Sequence, residues 1–184
     1  MILEQISEHS YYCKNVFPEE VAKELLETCK TFNGEDIHDV RGNPESGVRE
    51  VCFIFKKNPE YERKLISFVE KQIAEITPDL GGIYGLEFWR DYKGWTNPLH
   101  FDCLEAQNIM IVYLDFTANK GTSHVIDNTI ISADYYHNSA FILCNSDKIE
   151  HGMTGEVENT RHCLYISWIT KQRQQELDDL NSNK

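Results

Sequence analysis

Between residues 80 and 170 the sequence is written almost throughout at the period of a β-strand. The segments "GIYGLEFWRDY", "LHFDC", "NIMIVYLDF", "TSHVI", "SAFILCN" and "RHCLYISWIT" are short and apolar or alternating, with Gly-, Asn- and Asp-containing turns between them. Strands in close succession bury themselves against one another as a sandwich or barrel, not as a parallel sheet with helical crossovers. The preceding part of the chain holds two helical patterns. "PEEVAKELLETCKTF" begins at Pro18, where a missing N–H costs nothing, and sets Val21, Leu25, Cys29 and Phe32 roughly on one face. "NPEYERKLISFVEKQIAEIT" places Leu65, Phe68, Val69, Gln72, Ile73 and Ile76 at helical spacing, with Pro59 near its start and Pro78 just past its end. "VREVCFIF", residues 48–55, alternates as another strand, and the turn-rich stretch 34–47, "GEDIHDVRGNPESG", reads as a long loop and a candidate mobile flap. Helices first and an uninterrupted series of strands after them make an α+β, mainly β layout, with N-terminal helices packed on one sheet of a β-sandwich.

A chain of 184 residues is long enough to bury one core without disulfide staples, so residues 1–170 are expected to form a single domain and 171–184 a polar C-terminal tail. The formal net charge of -12 repels phosphate backbones and argues against nucleic acid as a partner. Six cysteines without a Cys-x-x-Cys pair suit reduced thiols in the cytoplasm. The N-terminus lacks the basic and apolar regions of a secretory signal, and no run reaches the roughly 18 apolar residues of a membrane span, so no membrane association is expected.

Within the strand-rich half, "WTNPLHFDCLEAQN" carries His100 and Asp102 two residues apart. On a strand such a pair projects from one face and can enter one cavity. His-x-Asp alone is a weak signal, since a chain with seven His and many Asp supplies such pairs by chance. Context changes its weight. His151 follows the apolar segment "SAFILCN" and a polar turn, and it would complete two imidazoles and one carboxylate, the facial triad that leaves positions open on a non-haem iron. Arg161, ten residues beyond, shares a strand face with Cys163, Tyr165 and Ser167. An arginine turned into a β core is costly unless it meets an anion, and its fork suits a carboxylate.

With these residues in place, the sequence resembles the Fe(II)- and 2-oxoglutarate-dependent dioxygenases, which have a double-stranded β-helix (jelly-roll) core. Their motif of His-x-Asp, a distant second His and then Arg or Lys at a short interval is matched by "HFD", "EHG" and "GEVENTRHC". "FPEEVAKELLETC", "LEFWRDYKGWTNPLHFD", "IMIVYLDF", "KGTSHV" and "HGMTGEVENTRHCLYISWIT" resemble successive segments of the prolyl-hydroxylase-like branch. The resemblance implies that His100, Asp102 and His151 bind Fe(II), and that Arg161 pairs with the distal carboxylate of 2-oxoglutarate. Tyr165 would add a hydroxyl to that carboxylate. O2 would be the other cosubstrate, with ascorbate as a candidate reductant. The branch often places a tyrosine three residues before the first His. Here that position is Asn97, a candidate hydrogen-bond donor, and Tyr92 is a candidate replacement. Where some relatives have a serine two residues after the arginine, this chain has Cys163.

The remaining candidates read more blandly. His124, His137 and His162 are expected to be structural, Cys103 to pack, and Arg41 and Arg49, flanking the flap, to be solvated charges, with substrate contact as the alternative. Trp89 reads as core, and Trp95, in a loop, reads equally well as core or as part of a substrate entrance. The implied reaction is hydroxylation of a C–H bond in a peptidyl, prolyl-type substrate. A free amino acid or other small molecule is the alternative, and a non-catalytic jelly-roll binding module is a reading of another class. Oligomeric state is left open by the sequence.

Overall fold

The computed structural model describes residues 2–53, 59–77, 79–103, 107–117 and 120–182. Chain order is β1 (Ile2–Gln5), β2 (Ser10–Lys14), α1 (Glu19–Thr31), β3 (Ile37–Asn43), β4 (Gly47–Cys52), α2 (Pro59–Ala74), β5 (Leu80–Asp91), β6 (Asn108–Tyr113), β7 (Ser123–Ile126), β8 (Thr129–Ser132), β9 (Ser139–Cys144), β10 (His151–Gly152), β11 (Arg161–Thr170) and α3 (Lys171–Ser182). Eight strands form one sheet in the order β1-β2-β9-β6-β11-β5-β4-β3, and three form a second in the order β10-β7-β8. Every pairing is antiparallel.

Both N-terminal helices form where the apolar periodicity places them and cover one face of the large sheet. The α1 side chains Ala22, Leu25, Leu26 and Cys29 are buried, and α2 adds Leu65, Val69 and Ile73. They share one core with Phe88 of β5, Met110 and Val112 of β6, and Leu164, Ile166 and Trp168 of β11. The opposite face of the same strands supplies Trp89, Ile109, Ile111, Tyr113, Phe141 and Cys163 to a second core. There the small sheet packs on the large one, with the His124 ring 5.2 Å from that of Phe141. Alternation along β5 and β11 therefore sorts residues between a helix-covered face and an inter-sheet cavity.

Several expectations about element order need correction. Strands β1 and β2 precede the first helix, and the stretch 34–47 is not a loop throughout. Most of it forms β3 and the turn of a β3–β4 hairpin that extends the large sheet. Its polar residues hide the strand because β3 is a sheet edge exposed along most of its length. Gly47 marks the close approach behind this turn: a Cβ there would lie 1.9 Å from the Trp95 backbone nitrogen, and its φ of +87° suits glycine. Strand β4 ends at Cys52, while the expected strand positions Ile54 and Phe55 lie outside the described residues, as does Pro78. Strand β8 also went unread, although Asp127 and Asn128, at φ 50° and 60°, make the tight two-residue turn that pairs it with β7. Residues 171–182 form α3, whose start is capped by the Thr170 hydroxyl accepting from Arg173 N at 3.2 Å. Among the described residues no helix is long and apolar enough to cross a membrane.

Candidate metal centre

The "LHFDC" segment is not the strand its alternation suggests. Only His100 forms a bridge, to His151, with His100 N donating to His151 O at 2.8 Å and His151 N to His100 O at 2.9 Å. Pro98, lacking an N–H, cannot extend that ladder. Instead the 94–102 stretch is laced to the 146–157 stretch. Gly94 N donates to Val157 O, Val157 N to Trp95 O, Met153 N to Asn97 O, and Asp102 N to Ser146 O. Gly152 lets the two stretches meet, since a Cβ there would lie 2.6 Å from the carbonyl oxygens of both Asn97 and Pro98.

This lacing brings His100, Asp102 and His151 together, with one ligand atom from each within 4.8 Å of the others. His100 Nε2 lies 3.5 Å from Asp102 Oδ1, and His151 Nε2 lies 3.2 Å from Asp102 Oδ2. Each imidazole is oriented from behind: Nδ1 sits 2.8 Å from Pro98 O in His100 and 2.9 Å from Ile149 O in His151. Those carbonyls accept a hydrogen bond from Nδ1–H, which leaves both Nε2 atoms as lone-pair donors facing the carboxylate. Burial raises the cost of charge on Asp102, but the two imidazoles beside it, His100 and His151, outweigh that cost and hold the carboxyl well below its usual range. The Asp102 carboxylate in turn raises the His100 pKa against the opposing effect of burial.

Two observations test the fit to a metal. Asp102 Oδ2 is buried with no hydrogen-bond donor aligned on it, although His151 Nε2 is nearby. The donor set itself is two neutral imidazole nitrogens and one carboxylate, the facial set that suits non-haem Fe(II). The residues present fit such an ion.

One pocket opens over this cluster, and its walls include Asn97, Thr122, Met153, Arg161 and Tyr165. Arg161, one of these lining residues, is 2 % exposed, and its Nε donates to Asp91 Oδ2 at 2.6 Å. Tyr165 stacks on Trp89 with ring centroids 4.3 Å apart, and burial pushes its pKa up, which keeps the phenol protonated. Asn97 belongs to the wall through the same loop that supplies His100. Tyr92 does not reach the pocket. It directly follows β5, and its hydroxyl donates to Glu50 Oε2 at 3.0 Å.

Sequence reasoning misplaced two other residues and overlooked one. Arg49 is not a solvated charge: it is 2 % exposed, lines the pocket and stacks 3.7 Å over the Trp89 ring. Cys103 is exposed instead of packed. Asp91, fully buried between Arg49 and Arg161, was overlooked, although its parity with Glu87 and Trp89, opposite helix-facing Leu86 and Phe88, was a usable signal. Arg41 is half-exposed, paired with Asp39 at 2.8 Å, and also at the pocket wall. Trp89 lies in the inter-sheet core, and Trp95 is buried against Met153 and Val157. His124 meets Ser10 Oγ at 2.9 Å in the core, His162 meets Asp115 at 3.0 Å, and His137 meets the Leu114 carbonyl. All three have structural partners.

No family model matches the sequence, and no curated protein matches it. Solved structures do. A Pseudomonas putida prolyl-4-hydroxylase superposes with a TM-score of 0.72 at 10% identity, covering 88% of this chain and 92% of its own. A Trichoplax adhaerens prolyl hydroxylase in complex with a hypoxia inducible factor oxygen degradation domain peptide fragment gives 0.68 at 12%, covering 92% and 87%. The non-heme alpha ketoglutarate dependent epimerase SnoN from nogalamycin biosynthesis gives 0.71 at 8%, covering 88% and 78%. At such identities the likeness is one of fold, and that fold is the jelly roll of the 2-oxoglutarate and Fe(II) oxygenases.

Proposed function

We propose that this protein is an Fe(II)- and 2-oxoglutarate-dependent dioxygenase that hydroxylates a C–H bond. The observation that carries the reading is the convergence of His100, Asp102 and His151 in a pocket whose lining also includes the buried Arg161. His100 Nε2, His151 Nε2 and an Asp102 oxygen would hold the metal. The chemistry supplied at such a site by Fe(II), 2-oxoglutarate and O2 is insertion of one oxygen atom into a C–H bond, with the other oxygen atom ending in succinate and CO2 released.

The protein's own contribution is placement. The Pro98 and Ile149 carbonyls fix the two imidazoles before any ligand arrives, so little reorganisation accompanies binding. Arg161 binds the distal carboxylate of the cosubstrate, and the Tyr165 hydroxyl, kept protonated by burial, donates to the same group. Ile109, Ile111 and Met153 add apolar side chains to a wall that is otherwise largely polar, and they limit water at their side of the pocket.

The acceptor is a peptidyl, prolyl-type substrate. Supporting this are two prolyl hydroxylases of the same fold, one of them in complex with a peptide. A small-molecule acceptor is the second reading, favoured by the likeness to SnoN, an enzyme of nogalamycin biosynthesis. Succinate release from the iron-loaded protein, measured against peptide and metabolite panels, tests both. We expect 2-oxoglutarate-dependent succinate in the wild type, its loss in His100→Ala, and stimulation by one panel. Iron-loaded protein that forms no succinate under any condition would refute the dioxygenase reading.

A further inference from the structure

Arg161 does not stand alone at the end of the pocket. On β11 it is the cross-strand partner of Asp91 on β5, Asp91 is the partner of Arg49 on β4, and Arg49 is the partner of Arg41 on β3. The inner three form one buried ionic unit, with exposures of 2 %, 0 % and 2 % for Arg161, Asp91 and Arg49. Asp91 Oδ1 accepts from Arg49 Nε at 2.5 Å, and Oδ2 accepts from Arg49 Nη2 at 3.0 Å and from Arg161 Nε at 2.6 Å. Arg41, at the outer end, is already balanced by Asp39.

Within the hydrogen-bonded unit two guanidiniums face one carboxylate, and a buried cation without a full partner is costly. The other carboxylates of the pocket are engaged elsewhere, Glu87 with Trp89 Nε1 at 2.7 Å and Asp102 beside His100 and His151. The unit can therefore take one further anion. Donors for it remain: among the described residues the hydrogen bonds of Arg49 go to Asp91 alone, which leaves Nη1 uncommitted, and Nη2 of Arg161 is uncommitted as well. Both guanidiniums also belong to the pocket wall. Neither can swing away. Arg49 lies 3.7 Å over Trp89 and 5.0 Å from the Trp95 ring, and Asp91 grips an edge of each arginine.

We infer that Arg49 and Arg161 form a two-guanidinium clamp for the distal carboxylate of the cosubstrate, with Asp91 as the residue that positions both. The inference rests on the dioxygenase reading and deepens it. It also accounts for Cys163, which stands where some relatives have a serine. Its thiol is buried and pushed up to about 12, with burial as the main cause, so it is a poor donor to an anion. Arg49, from a different strand, supplies a donor instead.

The test is equilibrium binding by calorimetry to Mn(II)-loaded protein, with no turnover. 2-Oxoglutarate is compared with 2-oxopentanoate, which keeps the keto-acid end and lacks the distal carboxylate. In the wild type 2-oxoglutarate should bind more tightly. Arg49→Gln should weaken it by about tenfold or more, the loss of one charge-assisted contact. Affinity for 2-oxopentanoate and for Mn(II) should stay within about twofold, as for sites that do not share the contact. Arg49→Lys, which keeps the cation if Arg49→Gln does not fold, should lose part of the preference because an ammonium cannot grip Asp91 and the ligand together. Asp91→Asn should erode the same preference through both arginines. An Arg49 variant that folds and keeps full discrimination overturns the clamp, as does one that weakens both acids equally. A wild type that binds Mn(II) but neither acid overturns the dioxygenase reading itself.

Discussion

The two faces of the eight-stranded sheet are made by alternate residues of the same strands, yet they follow opposite rules. Toward α1 and α2 the strands present Phe88, Met110, Val112, Leu164, Ile166 and Trp168 to an apolar core. Toward the cavity β4, β5 and β11 present Arg49, Asp91, Glu87, Arg161 and Tyr165 among scattered apolar side chains. The first face gains stability with every apolar area it removes from water, at roughly 25 cal/mol per Å². The second holds charges whose desolvation offsets much of their mutual attraction, and it persists because Asp91 partners both arginines. A shift of one residue along a strand thus separates the helix-covered apolar core from the charged wall of the pocket.

Substitutions on each face can break or sharpen that contrast. The largest effect should come from the cavity side. Asp102→Ala should lower Mn(II) affinity by more than about 100-fold, since even residues that merely orient a ligand are worth 10- to 100-fold. An unchanged affinity would remove Asp102 from the ligand set. Asp91→Ala should cost about 3–5 kcal/mol in urea unfolding, because it strands two buried guanidiniums. A loss typical of a surface change would mean that water already reaches the row.

On the helix side, Leu25→Ala should cost about 2–4 kcal/mol through the cavity it opens, with Mn(II) affinity unchanged. Coupled loss of metal binding would show that the two faces are not independent. A smaller effect is expected with pH. Burial pushes the Asp91 pKa up, but Arg49 and Arg161 outweigh it and hold it below the ordinary value. A carboxylate depressed on folding contributes stability that is fully present above its unfolded pKa of about 3.9 and is lost as pH falls through the lower folded value. Asp91→Asn should therefore flatten the loss of stability below about pH 4 in acid unfolding curves. Tyr92→Phe should be the quietest change, within about 0.5 kcal/mol in stability and without effect on cosubstrate binding, because its hydroxyl meets Glu50 and Arg90 at an exposed position away from the pocket.

What could be read from sequence divides along physical lines. Both helices were legible because Leu25, Cys29, Leu65, Val69 and Ile73 carry the burial signal locally, at helical spacing. The order of His100, Asp102, His151 and Arg161 was legible because ligand chemistry restricts residue type as well as spacing. Three features were not. Strand β3 faces solvent at most positions, so no apolar alternation marks it. Arg49 looks like any surface cation until its partner is known, and Asp91 lies 42 residues away along the chain. His100 and Asp102 share a side, but not through the strand parity first assumed. The lacing of the 94–102 stretch to the 146–157 stretch places them, and those hydrogen bonds are backbone contacts that leave no trace in side-chain pattern.

The central claim is that a metal held by His100, Asp102 and His151 and an anion held at Arg161 form one site. Anaerobic titration of 2-oxoglutarate into Fe(II)-loaded protein, followed by admission of O2 and quantification of succinate, tests it most directly. The account predicts metal-dependent binding of one 2-oxoglutarate per chain and succinate on exposure to O2, with both lost in Arg161→Gln. Protein that binds iron yet takes up no 2-oxoglutarate, or takes it up equally well without the metal, would contradict the account.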